Sequence, residues 1–439
     1  MFTCAVSCQM ESCGYRGAMK KNVLVFPCGS EIGLEIYASM KYSTYFHLIG
    51  LSSVDDHGKY VFEDYIGDAP MIDDDRLIPF LRDLVKERDI KAIYPAMDTV
   101  ISVLKKNEQE IGCMVIAAGR ETAEICMSKS KTYEFLKDTL RVPEIYENLS
   151  DLKYPVFGKP DVGYGARGTE VLYSEKQLLS YLEKRPDSLI MEYLPGDEYT
   201  VDCFTDSHGR LLFVKGRKRN RIRSGISVNT FFMEDQTEFQ ECAERINRKI
   251  KMKGAWFFQM KQAADGKLCL LEVAARFGGS SSLCMAIGVN LPLLTLFDYF
   301  GYDVSVQPNN YNVSVDRALD SKYQCAITYD TVYVDFDDCL ILDGNRVNDE
   351  LVAFLYRCIN QKKQVILLSK HDGDLQKDLA EFRLDHLFDE VIHLPKTAEK
   401  WKWIETQTAI YIDDSFAERT AVQDHCGIAV FSPEMVQVL

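Results

Sequence analysis

This sequence predicts a multidomain protein of mixed α/β and α+β class, on three observations. The chain has 439 residues, enough for about three domains at roughly 100–200 residues each. Apolar runs that end in polar turns recur near both ends with helical stretches between them, the pattern of parallel sheets. In the middle, strands are joined by tight turns around a glycine-rich loop. The boundaries that follow are a leader over 1–20, a parallel α/β domain over 21–117, a central domain with its linker over 118–330, and a second Rossmann-like α/β domain over 331–439.

Composition narrows the class. A formal charge of −15 with 27% charged residues argues against nucleic acid and anionic membranes as partners and leaves small anionic ligands allowed. No apolar run approaches the ~20 residues of a membrane helix. Fourteen cysteines with no C-x-x-C pair look like reduced core residues of a cytoplasmic protein. The tightest group, Cys4, Cys8 and Cys13, lies in a leader with no helix or strand period; disorder is the expectation there, ahead of a metal role. The leader lacks a basic segment followed by an apolar one, so it does not read as a secretory signal.

From Lys21 the run NVLVFPCGSEIGLEIYASM reads as a buried strand, a turn and an amphipathic helix. YFHLIGLSS, KAIYPAMD and MVIAAG repeat the strand-and-turn pattern, with a helix expected over 75–88. Gly29 and Gly33 lack the full dinucleotide fingerprint, so they read as turn and packing residues.

The central stretch VFGKPDVGYGARG, residues 156–168, is a short strand that delivers Lys159 and opens into Gly163, Gly165 and Gly168. Glycines let several N–H groups converge on one anion, and the lysine supplies a compact positive charge. The competing reading is an ordinary glycine-rich hairpin. Upstream, Ser128 is placed to cap a helix with Lys129 in its first turn. Downstream, LIMEYLPGDEYTVDCF sets Glu192, Glu198 and Asp202 about an apolar hinge, where acids suit an adenine amino group and a ribose. In KGRKRNRIRS, Lys215, Arg217, Arg219, Arg221 and Arg223 recur every second residue, so on a strand they share a face and repel unless an anion relieves them. Finally, WFFQMKQAADGKLCLLEVAARFGG gives two strands about an Asp-Gly turn, with Gln259 and Glu272 side by side where both oxygens can meet a Mg²⁺. Arg276 follows.

Lys129, Lys159, the glycine loop, MEYLPGDEYTVD and LEVAARFGG, in this order and spacing, resemble the ATP-grasp superfamily in its carbamoyl-phosphate-synthetase-like branch, over roughly 21–308. The resemblance implies an ATP-grasp fold with ATP and Mg²⁺ as cofactors. Lys129, Lys159, Gly163, Gly165 and Gly168 would contact phosphates. Glu192 and the Leu194 main chain would hold adenine, and Glu198 the ribose. Gln259 and Glu272 would hold Mg²⁺, with Arg276 on the transferred phosphate. The alternation of the basic strand itself, not the resemblance, is what assigns Arg217, Arg219 and Arg221 to an anionic substrate. One position departs from the family: Ala274 stands where it usually has an asparagine metal ligand.

In the last segment, VYVDFDDCLILDG places Asp335 and Asp337 two residues apart at a strand end, and paired carboxylates there call for a cation. Ser369, Lys396, Lys400, Asp413 and Asp414 follow near other strand ends, at the carboxyl edge where α/β ligand sites sit. Together they resemble haloacid-dehalogenase-like phosphatases over 331–439. That likeness implies Asp335 as nucleophile and Asp337 as general acid/base. Ser369 and either Lys396 or Lys400 would hold the phosphoryl group, and Asp335, Asp337, Asp413 and Asp414 would serve the Mg²⁺. Only 34 positions separate Asp335 from Ser369, which predicts a capless domain. Cys339 stands where a threonine is common.

The combined expectation is a bifunctional enzyme: a ligase that joins a small-molecule carboxylate to an amine through an acyl-phosphate, and a phosphatase for a related phosphorylated small molecule. The other reading is a nucleotide-responsive clamp that regulates the phosphatase without ligation. The sequence leaves a homodimer open.

Overall fold

The structure is a computed structural model and describes residues 19–163 and 165–439; Cys4, Cys8 and Cys13 lie outside the described residues. The chain divides into two compact units at Asp320 and Ser321, so the expected 330/331 boundary shifts earlier.

In the first unit, a five-stranded parallel sheet is ordered β3-β2-β1-β4-β5, with β1 Lys21–Phe26, β2 Phe46–Leu51, β3 Tyr65–Ile66, β4 Ile90–Pro95 and β5 Met114–Val115. β1, β2, β4 and β5 are the strands the apolar runs predict, β3 is an addition to them, and the helix expected over 75–88 is Leu77–Glu87. A small antiparallel sheet follows, ordered β7-β6-β8, from β6 Val156–Pro160, β7 Glu170–Leu172 and β8 Ser188–Glu192. The third sheet has six strands, ordered β13-β12-β9-β10-β11-β14: β9 Glu198–Thr205, β10 Leu211–Arg223, β11 Ile226–Phe232, β12 Gly254–Gln262, β13 Leu268–Ala274 and β14 Ser314–Asp316.

The expected division between 117 and 118 is not a division of compact units. Val23 and Val25 of β1 share one buried cluster with Phe204, Phe213 and Ala255 of the six-stranded sheet and with Leu291, Leu294 and Phe297 of the helix Leu291–Tyr299. A face of the parallel sheet is thus buried against residues far downstream, and neither part closes its core alone. Gly33 is a packing residue, as read: a Cβ there would lie 2.5 Å from the Cys28 carbonyl oxygen.

The second unit is a parallel sheet ordered β19-β18-β15-β20-β21, with β15 Thr331–Val334, β18 Gln364–Ser369, β19 Glu390–His393, β20 Ala409–Ile412 and β21 Ala429–Phe431. Between β15 and β18 lie only the hairpin β16 Ile341–Leu342 and β17 Arg346–Val347 and the helix Asp349–Asn360. No cap-sized insertion is present there. Buried clusters cover both faces of the sheet. Among the described residues, no helix is long and apolar enough to cross a membrane.

Candidate functional site

Two adjoining cavities in the first unit share part of their lining. The smaller, about 270 Å³, lies between the three-stranded and six-stranded sheets and is lined by Lys129, Lys159, Gly163, Gly165, Glu192, Leu194, Glu198, Gln259 and Glu272. Nine residues expected to serve ATP or its metal thus meet in one place. The larger, about 710 Å³, continues from Lys129, Gln259 and Glu272 to Arg217, Arg276 and the helix starts at Ser30–Ile32 and Met97–Thr99.

Lys159 is the penultimate residue of β6, opposite Leu189 on β8. Burial pushes its ammonium down to about 8, against the pull of Glu272 and Glu198 and with help from Lys129 and Arg219, so the loss of hydration outweighs the nearby carboxylates. Lys129 is 5% exposed, and its ammonium donates to the carbonyls of Asp161 (3.1 Å) and Gly163 (3.3 Å). It therefore fastens the glycine loop as well as lining the cavity. Asp161 completes that anchor, accepting from the Ser128 hydroxyl and the Ser130 N–H, both at 2.7 Å. Gly165 and Gly168 take φ of 63° and 75°, the left-handed region glycine enters at least cost. The Glu192 carboxylate is held at 2.9 Å by Arg141, which also grips Asp265.

Gln259 and Glu272 are directly paired across β12 and β13, so the two oxygens suit one Mg²⁺. Ala274, buried on β13 opposite Phe257, offers no third ligand. Among the described residues no group of three metal-ligating side chains forms at these cavities. The residues therefore fit one cation completed by phosphate oxygens, and leave a second without a side-chain ligand. Arg276 is held in bidentate fashion by Asp98, at 2.8 and 2.7 Å, and donates to the Phe277 carbonyl at 3.2 Å.

The basic strand needs correction. Its alternate cations do not form one unrelieved face, because neighbouring strands supply the counter-charges. Arg217, 2% exposed, pairs with Asp202 of β9 at 2.7 Å, and Asp202 also accepts from the Ser281 hydroxyl. Arg219 pairs with Glu198 at 2.6 Å. Register shifts between Arg219 and Ile222 break the period-two pattern, so Arg221 pairs with exposed Asp316 and lines neither cavity. Ile222 lines the smaller cavity in its place.

In the second unit the strand ends converge as expected. Lys400, 2% exposed, lies 2.8 Å from Asp335 and 2.6 Å from Asp413. Ser369 is fully buried at the end of β18. Asp335, Asp413 and Asp414 bring one oxygen each within 4.8 Å of one another, a set that fits a single divalent cation. Burial, reinforced by Asp413 and opposed by Lys400, pushes the Asp335 carboxyl up to about 6.

Two expectations here are corrected. Lys396 is not in the cluster and pairs with exposed Asp372 at 2.7 Å. Asp337 does not join the carboxylates by strand alternation, because β15 ends at Val334. Its side chain instead meets His371 Nδ1 at 2.8 Å, whose Nε2 meets Asp378 at 2.8 Å.

The sequence reading missed Asp98, Asp161, Arg141 and His371. Asp161 sits inside the loop motif, but its contact with the Ser128 cap spans 33 positions, and His371 follows Ser369 by two positions at the same strand end; Asp98 and Arg141 are brought in from afar and carry no local signal.

Residues 184–319, within the first unit, match the family model described as ATP-grasp in the biosynthetic pathway with Ter operon. The carbamoyl phosphate synthase large chain of Clostridium beijerinckii is 29% identical over 143 residues, 30% of this chain and 13% of that one; the chain thus spans about an eighth of that relative's length. A biotin carboxylase–β-γ-ATP complex from Campylobacter jejuni superposes with a TM-score of 0.56 at 18% identity, over 67% of this chain and 74% of that chain. The biotin carboxylase domain dimer of Hydrogenobacter thermophilus 2-oxoglutarate carboxylase, with MgADP, ADP and bicarbonate, gives 0.56 at 17% identity, over 66% and 72%. The fold is ATP-grasp-like, mixing parallel and antiparallel sheets.

Proposed function

We propose that the first unit is an ATP- and Mg²⁺-dependent ligase that phosphorylates a small-molecule carboxylate and passes the acyl group to an amine. The observation that carries this reading is the shared wall of the two cavities: Gln259, Glu272 and Lys129 border both. A nucleotide in the smaller cavity would present its terminal phosphate to a substrate in the larger. Lys159 would meet the phosphates, Leu194 and Glu192 would lie at the adenine end, and Glu198 at the ribose. Gln259 and Glu272 would hold the Mg²⁺, which offsets phosphate charge. On the substrate side, Arg217 is already fixed by Asp202, and Arg276 by Asp98, so both guanidiniums are oriented in advance. The names of these relatives, carbamoyl phosphate synthase and biotin carboxylase, support small-molecule chemistry of this type. Release of ADP that requires both a carboxylate and an amine tests the reading.

Ala274 favours a second reading, in which the nucleotide closes a clamp without ligation; ADP release indifferent to carboxylate and amine would select it. For the second unit we propose a Mg²⁺-dependent phosphatase acting on a related phosphorylated small molecule. Asp335 would be the nucleophile, Asp337 the general acid/base, Ser369 and Lys400 the phosphoryl holders, and Asp413 and Asp414 the remaining metal ligands. The enzyme would work in the cytoplasm.

A further inference from the structure

We infer that Arg219 is a positioning residue of the nucleotide cavity, joining Glu198 to the β10–β11 turn and, through that turn, to the glycine loop. This rests on the nucleotide reading proposed above. β10 and β11 are joined by Ser224 and Gly225, with φ of 50° and 79°, the doubly positive geometry that lets a two-residue hairpin match the strand twist. The turn packs main chain to main chain on the glycine loop. A Cβ at Gly225 would lie 2.5 Å from the Gly165 carbonyl oxygen and 2.7 Å from the Ala166 nitrogen, so a side chain there would push the two apart. Gly165 and Ala166 themselves take φ of 63° and 54°, a backbone that holds its shape only with support from its surroundings.

Arg219 supplies the tie. One terminal nitrogen donates to the Gly225 carbonyl at 2.6 Å and the other to Glu198 at 2.6 Å. The side chain is 6% exposed, and its Nε has no partner among the described residues. A planar guanidinium fixes the direction of both bonds at once, which an ammonium on a flexible stem does not. A ligand that engages Glu198 therefore also steadies the turn, and the turn steadies the loop that would cover the phosphates. The sequence suggests substrate recognition for Arg219; it lines both cavities, and its hydrogen bonds go to Glu198 and the turn.

The test uses the full chain with Mg-ADP as probe. Arg219→Lys keeps a cation beside Glu198 but cannot hold the turn as well, so Mg-ADP should bind about tenfold more weakly by calorimetry. Trypsin has exposed sites at Arg167 in the loop and Arg223 beside the turn. Saturating Mg-ADP should protect both in the wild type and neither in Arg219→Lys, as read by mass spectrometry of the fragments. Gly225→Ala, which leaves the Arg219–Glu198 pair in place, should lose the same protection. Wild-type affinity and wild-type protection in Arg219→Lys would overturn the inference while leaving the nucleotide reading standing. Failure of the wild-type protein to bind Mg-ADP would overturn that reading and this inference with it.

Discussion

Lys159 in the first unit and Lys400 in the second are both lysines at β-rich sites read as phosphate sites, yet they are prepared in opposite ways. Lys400 is buried with its counter-charges supplied: Asp335 and Asp413 sit at 2.8 and 2.6 Å, and together they outweigh burial and raise its pKa. Lys159 makes no salt bridge among the described residues, and burial lowers its pKa to about 8. One charge is neutralised by the fold, and the other is left for a ligand to neutralise. A lysine held by carboxylates can orient them and keep its own geometry, whereas a lysine short of a partner gains most when an anion arrives.

Four experiments break or sharpen that contrast, in falling order of effect. Asp335→Asn removes the proposed nucleophile and the charge of one Lys400 partner, so the proposed phosphatase turnover should fall by at least about a thousandfold. Mg-ADP binding to the first unit should be unchanged; a variant retaining turnover with p-nitrophenyl phosphate would remove Asp335 from the chemistry.

Lys400→Met leaves Asp335 and Asp413 buried without their cation. Loss of a buried partner costs about 3–5 kcal/mol, read as early unfolding of the second unit in urea. A shift under about 1 kcal/mol would mean the carboxylates find water instead.

Lys159→Ala should weaken Mg-ADP by about tenfold or more, and pH sharpens this test. Folding lowers the Lys159 pKa from 10.5 to about 8. Between those values the unfolded chain holds the proton that the folded chain has released, so the stability cost of burying the charge, full below pH 8, is relieved as pH rises through that window. Ligand affinity runs the other way. Mg-ADP should bind evenly below pH 8 and progressively more weakly above it, and Lys159→Arg should flatten the profile because a guanidinium stays charged. An unchanged alkaline decline in that variant would assign the decline to another group.

The smallest effect belongs to the position beside the metal pair. Ala274→Asn adds an amide oxygen next to Gln259 and Glu272, and should lower the Mg²⁺ concentration for half-maximal nucleotide binding by about two- to fivefold. No change would mean that position 274 does not face the cation.

Much of the site was legible because its parts are local. Gln259 and Glu272 lie on the two strands of one hairpin joined through an Asp-Gly turn, although the register shift between Gln259 and Met260 is what sets them directly opposite each other. Lys159 follows from a strand running into glycines, and Asp335, Ser369 and Asp413 from apolar runs that stop at polar residues. The basic strand was legible as a strand but misread as a face, since a register shift between Arg219 and Ile222 leaves no compositional mark. The choice between Lys396 and Lys400 had no local signal, because Lys396 lies just before a short 3-10 turn that Lys400 opens, and only packing buries one of them.

What the sequence determined by itself was the order of elements, the strand ends and the residue types delivered there, since apolar periodicity and turn chemistry act over a few residues. What the tertiary structure decided was which charges are already matched. Asp98 and Arg276 are 178 positions apart, Arg221 and Asp316 are 95 apart, and Arg217 meets Asp202 across a strand pair. Coulombic and hydrogen-bond partners are selected by distance in space, which the packing of sheets and helices sets and no local pattern encodes.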